Sequence, residues 1–199
     1  MEPTEILISD PTLRDGNHAI QHQITAKQVA AYCRAADDAR IPIVEVGHGN
    51  GLGASSLQLG ESLLSSEEMV ETARGNLTRS RLGVFIIPGF GTIRKDLKPA
   101  IDRGVDVVRV GAHSTEADTT ERHIRFVCDS GKVAYGNLMM CHMVPPGRLL
   151  EECLKMQSYG AKGVILMDSA GALLPEEVKE RVEIVASGME IPVGFHAHN

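Results

Sequence analysis

No run of this sequence approaches the roughly 20 consecutive apolar residues that an α-helix needs to cross a bilayer. Its first residues, Met1-Glu2-Pro3-Thr4-Glu5, lack the basic and then apolar start of a secretion signal, so a cytoplasm of bacterial type is the expected compartment. Cysteine is sparse: Cys33, Cys128, Cys141 and Cys153 lie far apart with no C-x-x-C pair. That spacing suggests neither a zinc knuckle nor a disulfide framework, and the four read as reduced, mostly buried small hydrophobes. Basic residues nowhere cluster and the net charge is −6, which leaves no electrostatic footprint for nucleic acid or an anionic membrane. Linkers, low-complexity tracts and a second domain are also missing, so residues 1–199 read as one domain.

What is present is an ordinary globular composition, 43% hydrophobic and 23% charged. Short β-branched, apolar runs recur at Ile6-Leu7-Ile8, Ile43 to Val46, Leu82 to Ile87, Val105 to Val110, Val133 to Met140, Gly163 to Met167 and Ile191 to Phe195; each reads as a strand buried on both faces. Amphipathic stretches with helix starts lie between them: Thr25 with Gln28 and Ser65 with Glu68 fit capping boxes, and Pro175-Glu176-Glu177 fits a first turn. Strands alternating with helices require a parallel sheet with covered faces. A doubly wound sheet usually carries a glycine-rich phosphate loop directly after an early strand. Here the first strand runs instead into a long polar segment, Asp10 to Gln23. The glycine-rich stretch Gly47 to Gly53 is in poor register for a nucleotide fingerprint and reads as a flexible loop at the rim of a site. Polar, ionisable residues gather just after the strands, where barrel enzymes keep their chemistry, so a (β/α)8 barrel is favoured, incomplete at about seven strands and six helices.

The sharpest chemical signal is Phe195-His196-Ala197-His198. Alternate strand residues share a face, so His196 and His198 project together and can grip one ion. Asp15, after the first strand, is the natural third ligand. Two imidazoles and one carboxylate leave coordination positions open for water or substrate, and suit Mn2+, Co2+, Zn2+ or Fe2+ better than Mg2+. By itself, His-x-His on a strand favours a mere polar rim; its coupling to the polar segment after strand one is what favours a metal.

The run Asp10-Pro11-Thr12-Leu13-Arg14-Asp15-Gly16-Asn17-His18-Ala19-Ile20 accompanies Glu45-Val46-Gly47-His48-Gly49, Met139 to Met143, Asp168-Ser169-Ala170-Gly171 and His196-Ala197-His198-Asn199. In order and spacing this set resembles the 4-hydroxy-2-oxovalerate aldolase family, metal-dependent pyruvate aldolases with an HMG-CoA lyase-like barrel, and the likeness covers essentially the whole chain. The resemblance implies cleavage of 4-hydroxy-2-oxo acids, such as 4-hydroxy-2-oxopentanoate, to pyruvate and an aldehyde, with Mn2+, Co2+, Mg2+ or a similar ion, in the breakdown of aromatic hydrocarbons. It implies Asp15, His196 and His198 as metal ligands, Arg14 as stabiliser of the pyruvate enolate and His18 as base or aldehyde-side group. Ser169 would contact the pyruvate end, with Asp15 and His196 also facing the substrate. An acylating acetaldehyde dehydrogenase would be the partner. The resemblance further implies a missing last βα unit and C-terminal segment, so the chain is expected to be truncated and to lack substantial activity alone.

Physical chemistry supports those roles. Breaking C3–C4 leaves negative charge on the pyruvate fragment, which a chelating ion and a forked guanidinium can stabilise, the latter by about a hundred- to thousand-fold in rate. An unperturbed imidazole titrates near neutral pH and is suited to taking the C4 hydroxyl proton. Plainer roles go to the other rim residues: Glu45 as a partner of Arg14 or a structural acid, His48, His113 and His142 as loop-ordering groups, Asp168 as an organiser of its loop, and Met139, Met140 and Met143 as core filler. Three other functions stay open at this stage: a related condensing enzyme or lyase using another aldehyde or an acyl-CoA, an iron oxygenase built on the two-histidine, one-carboxylate set, and an inert fragment acting only as a binding partner.

Overall fold

A computed structural model describes residues 6–198. Met1 to Glu5, read above for a missing leader, and Asn199, which ends the last motif, lie outside them. Seven strands and six α-helices alternate as expected: β1 (Ser9–Leu13), α1 (Ala26–Asp38), β2 (Ile43–Val46), α2 (Ser66–Arg74), β3 (Arg81–Ile86), α3 (Lys98–Asp102), β4 (Val107–His113), α4 (Glu121–Asp129), β5 (Val133–Met139), α5 (Pro146–Ser158), β6 (Val164–Asp168), α6 (Pro175–Gly188) and β7 (Val193–Ala197). Contacts divide the chain into two compact units, one made of residues up to Ile86 with Phe90–Val107, the other of Ile87–Gly89 with residues from Val108 onward.

In the first unit the strands lie in the order β1-β2-β3, paired in parallel with Ser9 opposite Ile43, Asp10 opposite Val44 and Glu45 opposite Gly83. Sequence order kept from strand to strand is what successive right-handed βα units give, and it provides no reversal point of the doubly wound kind. Ile43, Val44 and Val46 of β2, Val29, Cys33 and Ala36 of α1 and Met69, Val70 and Ala73 of α2 are all buried, each large side chain contributing about 1.5–3 kcal/mol by leaving water. Both helices begin with the expected capping boxes: Thr25 Oγ1 accepts from Gln28 N at 3.3 Å while Thr25 N donates to Gln28 Oε1 at 2.9 Å, and Ser65 and Glu68 repeat the exchange at 3.2 and 2.8 Å. Asp37, near the end of α1, accepts from the amides of Thr78, Arg79 and Ser80 and from the Thr78 hydroxyl. These bonds, that of Ser80 first, hold its carboxyl below the usual carboxylate range.

The second unit runs β4-β5-β6-β7, again in sequence order, with Leu138 opposite Leu166 and Met167 opposite His196. Its helices α5 and α6 pack together, and Leu149, Cys153 and Met156 of α5 are fully buried. At Gly136 a Cβ would meet Met156 Sδ at 2.4 Å, so a side chain there would force Met156 of α5 to shift. The Glu177 carboxylate accepts from Leu174 N at 2.8 Å and opens α6 at Pro175, as expected.

Four expectations need correction. The first strand is Ser9–Leu13, three residues beyond Ile6-Leu7-Ile8, which are exposed by 82, 50 and 54%; backbone pairing with β2 outweighs local apolarity, so part of the polar segment is itself strand. Strands β1 and β7 are not buried on both faces, since most β1 residues and every residue of β7 keep solvent contact. Gly47 to Leu52 is a packed turn rather than a flexible rim, because all but Asn50 are buried and a Cβ at Gly51 would strike Phe85 O at 2.5 Å. Met139, Met140 and Met143 are not core: none is buried, and Met140 takes a left-handed backbone at φ 57°.

Candidate active site

Strand β1 ends at Leu13 and delivers Arg14 into the interior of the first unit, with 2% of the residue exposed. Its guanidinium is held on several sides. Nε donates to Glu45 Oε2 at 2.5 Å, Nη1 to Gly49 O at 2.7 Å and to Asp15 Oδ1 at 3.2 Å, and the Phe85 ring lies 4.8 Å from Cζ. Glu45 is equally buried, so the inward acid on an otherwise apolar strand is the counter-charge of Arg14; an unpaired guanidinium at this depth would be untenable. One donor, Nη2, is buried without a hydrogen-bond partner among the described residues. A charged donor fixed by its other nitrogens and left unsatisfied at one can meet an acceptor that arrives with a ligand.

Asp15 opens a short 3-10 turn, Asp15–Ile20, and keeps 26% of its side chain exposed. Asn17 Nδ2 donates to Gly47 O at 3.2 Å and ties this turn to the loop after β2. His18 is exposed, while His22 and His48 are buried and stacked, with ring centroids 3.7 Å apart and planes at 23°. His48 Nδ1 accepts from Asn50 N at 3.0 Å and Nε2 donates to Gly60 O at 3.1 Å, a loop-ordering role as expected. Beside His18 lies an open cavity of about 560 Å3 whose walls include Gln21, His22, Leu57, Leu59 and Glu61.

In the second unit His196 and His198 stand on the same side of β7, ring centroids 4.7 Å apart, with ligating nitrogens within 4.8 Å. A backbone carbonyl only accepts, so the 2.9 Å contact between His198 Nδ1 and Asp168 O puts the proton on Nδ1 and leaves the Nε2 lone pair for an ion. His196 is held differently. Arg109 Nη2 donates to its Nδ1 at 3.1 Å and to Asn137 Oδ1 at 2.5 Å, so ligation by either ring nitrogen exchanges the Arg109 contact. Asp168 organises its loop, its carboxylate accepting from Ala172 N and Leu173 N at 3.1 and 2.9 Å. Ser169 Oγ accepts from Met140 N at 3.1 Å and pins that left-handed residue. His142 sits 3.4 Å from the Asp168 carboxylate and His113 3.3 Å from Thr115 Oγ1; both order loops.

Thus the first unit joins Arg14, Asp15 and Glu45 in one network beside His18, and the second gathers His196, His198 and the loop bearing Ser169. Sequence reading missed Gly49, His22, Arg109 and Asn137. Arg109 was detectable as a lone cation inside Val107-Val108-Arg109-Val110; the other three acquire meaning only through tertiary contacts.

Comparison with known proteins agrees with this arrangement. The chain is 57% identical over 195 residues to a 4-hydroxy-2-oxovalerate aldolase of Pectobacterium atrosepticum and 57% identical over 194 residues to one of Spirochaeta aurantia, covering 98% of this chain and 57% of each of those proteins. The chain therefore spans little more than half the length of the curated relatives it matches. Among solved structures, the carboxyl transferase domain of Rhizobium etli pyruvate carboxylase superposes with a TM-score of 0.81 at 15% identity, covering 98% of this chain and 36% of that one. The N-terminal domain of a Bacteroides vulgatus protein provisionally assigned as an aldolase superposes with a TM-score of 0.76 at 25% identity, covering 94% and 62%. The fold is the α/β fold of the (β/α)8 barrel, incomplete at seven strands. The HMGL-like family model matches residues 5–199, so with this fold and these rim residues the chain belongs to the HMGL-like family.

Proposed function

We propose that this chain carries the metal-binding and enolate-stabilising part of a divalent-metal-dependent aldolase that cleaves 4-hydroxy-2-oxo acids, 4-hydroxy-2-oxopentanoate in particular, to pyruvate and an aldehyde. The observation that carries this reading is Arg14, a buried guanidinium anchored by Glu45 and Gly49 with its Nη2 left for an incoming acceptor. The names of the close relatives support it.

Asp15, His196 and His198 would hold the ion, and the unprotonated Nε2 of His198 suits that role. A divalent cation, Mn2+ or one similar, would supply Lewis-acid chemistry to the 2-oxo acid end of the substrate. His18 takes the C4 hydroxyl proton; the O–H bonding pair forms the second bond of the aldehyde carbonyl, the C3–C4 bond breaks, and its electron pair becomes the enolate of pyruvate. Arg14 Nη2 donates to the enolate oxygen, and its anchors keep it in place without reorganisation as charge develops. Protonation at C3 then yields pyruvate. Ser169 lies at the pyruvate end, Asp15 and His196 also face the substrate, and an acylating aldehyde dehydrogenase in the cytoplasm receives the aldehyde.

The test is pyruvate release from 4-hydroxy-2-oxopentanoate by the full-length protein, with Mn2+ and after chelation. Metal-dependent release is expected. Release untouched by chelation, or none with Mn2+, Co2+ or Mg2+, would overturn the reading.

A further inference from the structure

Gly49 touches three groups of the candidate site at once. Its carbonyl accepts from Arg14 Nη1 at 2.7 Å, its amide donates to His22 Nδ1 at 3.5 Å, and a Cβ built on it would meet Nε2 of the His18 ring at 2.2 Å and Cδ2 and Cε1 at 2.4 Å. The imidazole of His18 therefore rests directly on the bare Cα. Backbone geometry does not explain the glycine: Gly47, Gly51 and Gly53 have φ of 144°, 92° and 77°, whereas Gly49 is not among the positive-φ residues. The ring does.

The other side of His18 meets His22, edge to face, at 4.9 Å between centroids and 68° between planes. His22 is itself clamped, stacked on His48 and pressed on Gly60, where a Cβ would meet its Cδ2 at 2.8 Å. Burial, together with the neighbouring His48 and His18, holds the pKa of His22 below the ordinary histidine value. It offers His18 an uncharged, immobile ring. An exposed imidazole on a short turn would otherwise sample several rotamers, and a general base must sit within hydrogen-bond reach of its proton.

We propose that Gly49 and His22 are positioning residues, the bare Cα of one and the ring of the other forming the seat that orients His18 toward the C4 hydroxyl of the substrate. The proposal rests on the reading of His18 as the base.

The test separates base action from enolate stabilisation. Oxaloacetate loses CO2 to give the same pyruvate enolate with no hydroxyl proton to remove, so its decarboxylation calls on Arg14 and the ion but not on His18. In the full-length, metal-loaded protein, Gly49→Ala should lower cleavage of 4-hydroxy-2-oxopentanoate by about 100-fold, as a displacement near 1 Å does, and decarboxylation far less. His22→Ala should lower the same ratio of cleavage to decarboxylation by about tenfold, within the range that base placement commands, and His22→Phe, which restores a ring, should recover most of that loss. A ratio unchanged in Gly49→Ala, or His22→Phe no better than His22→Ala, would overturn the proposal. Independently of activity, the His18 Cε1–H resonance of the metal-free protein, assigned by its loss in His18→Ala, should shift in Gly49→Ala; an unmoved resonance would also overturn it. Should the unaltered protein release no pyruvate at all, the functional reading fails, while the resonance still decides whether Gly49 seats the ring.

Discussion

Arg14 in the first unit and His196 and His198 in the second are the most distinctive side chains of the two rims, and they are held in opposite ways. Arg14 and its partner Glu45 are almost wholly buried, locked to each other and to Gly49 before any ligand arrives. His196 stands on β7 and His198 just past its end, in a stretch where no described residue is buried. The difference follows the tasks proposed for them. A group that meets charge as a bond breaks has to be in place beforehand, because reorganisation would cost the barrier it is meant to lower, whereas ligands of an exchangeable ion must be reachable. Preorganisation comes with a large folding role, and accessibility with a smaller one.

Breaking the buried pair should show the largest effect. Glu45→Ala leaves the Arg14 charge uncompensated and should destabilise the full-length protein by about 3–5 kcal/mol, read from denaturant midpoints. Arg14→Lys tests function on the same rim. A single ammonium nitrogen cannot reproduce the planar fork that spans Glu45, Gly49 and an incoming acceptor, so turnover should fall by about 10²–10³; because Arg14 also donates to Asp15, calorimetry should find Mn2+ binding retained, weakened by no more than the roughly 10–100-fold of a lost outer-sphere partner, and near-normal turnover would remove Arg14 from the enolate role. On the second rim the effects should divide the other way. His196→Ala and His198→Ala, with Asp15→Ala beside them, should each weaken Mn2+ binding by more than the roughly 10–100-fold typical of losing an outer-sphere partner. The two histidine variants should nevertheless move stability of the metal-free protein by no more than about 1.5 kcal/mol, the net worth of the hydrogen bond each makes. A large loss of stability there would erase the contrast.

Smaller effects come from pH, again within the first unit. Asp37 has a folded-state pKa below its unfolded value of about 3.9. The stability it contributes is complete above that value and is lost as pH falls below it. In His22 and His48, burial first and neighbouring imidazoles second depress the pKa, so their contribution is complete above about 6.5 and declines as pH falls through the range beneath. Melting of the metal-free protein should therefore weaken in two steps on acidification. Asp37→Asn should flatten the lower step and His22→Phe the upper one.

The same contrast explains what was legible in sequence. Strand β2 matches its expected bounds, because a β-branched run buried on both faces advertises itself, and the acid at Glu45 inside it signalled a buried partner. His-x-His was legible because strand periodicity alone puts both rings on one side. Strand β1 was misplaced because Ser9, Asp10 and Pro11 have little intrinsic strand preference; their conformation is imposed by pairing to Ile43 and Val44 and by Tyr32, whose hydroxyl donates to Asp10 Oδ2 at 2.6 Å. The seat of His18 was illegible for a related reason. Gly49 and His22 are 27 residues apart, and nothing local in either announces that one will be bare and the other buried beneath the same imidazole.

The cysteines acquire a chemical meaning from their burial. Aldehydes add to thiolates to form thiohemiacetals, so the aldehyde release proposed for a protein with four free thiols would carry a risk of capturing its own product. Burial pushes Cys33 and Cys141 up to about 11 and Cys153 up to about 12, and Cys128 is raised by the same cause. At neutral pH these sulfurs are protonated, and the thiolate is the nucleophile. Packing that excludes water from the core thus also keeps the chain inert toward the aldehyde it is proposed to release.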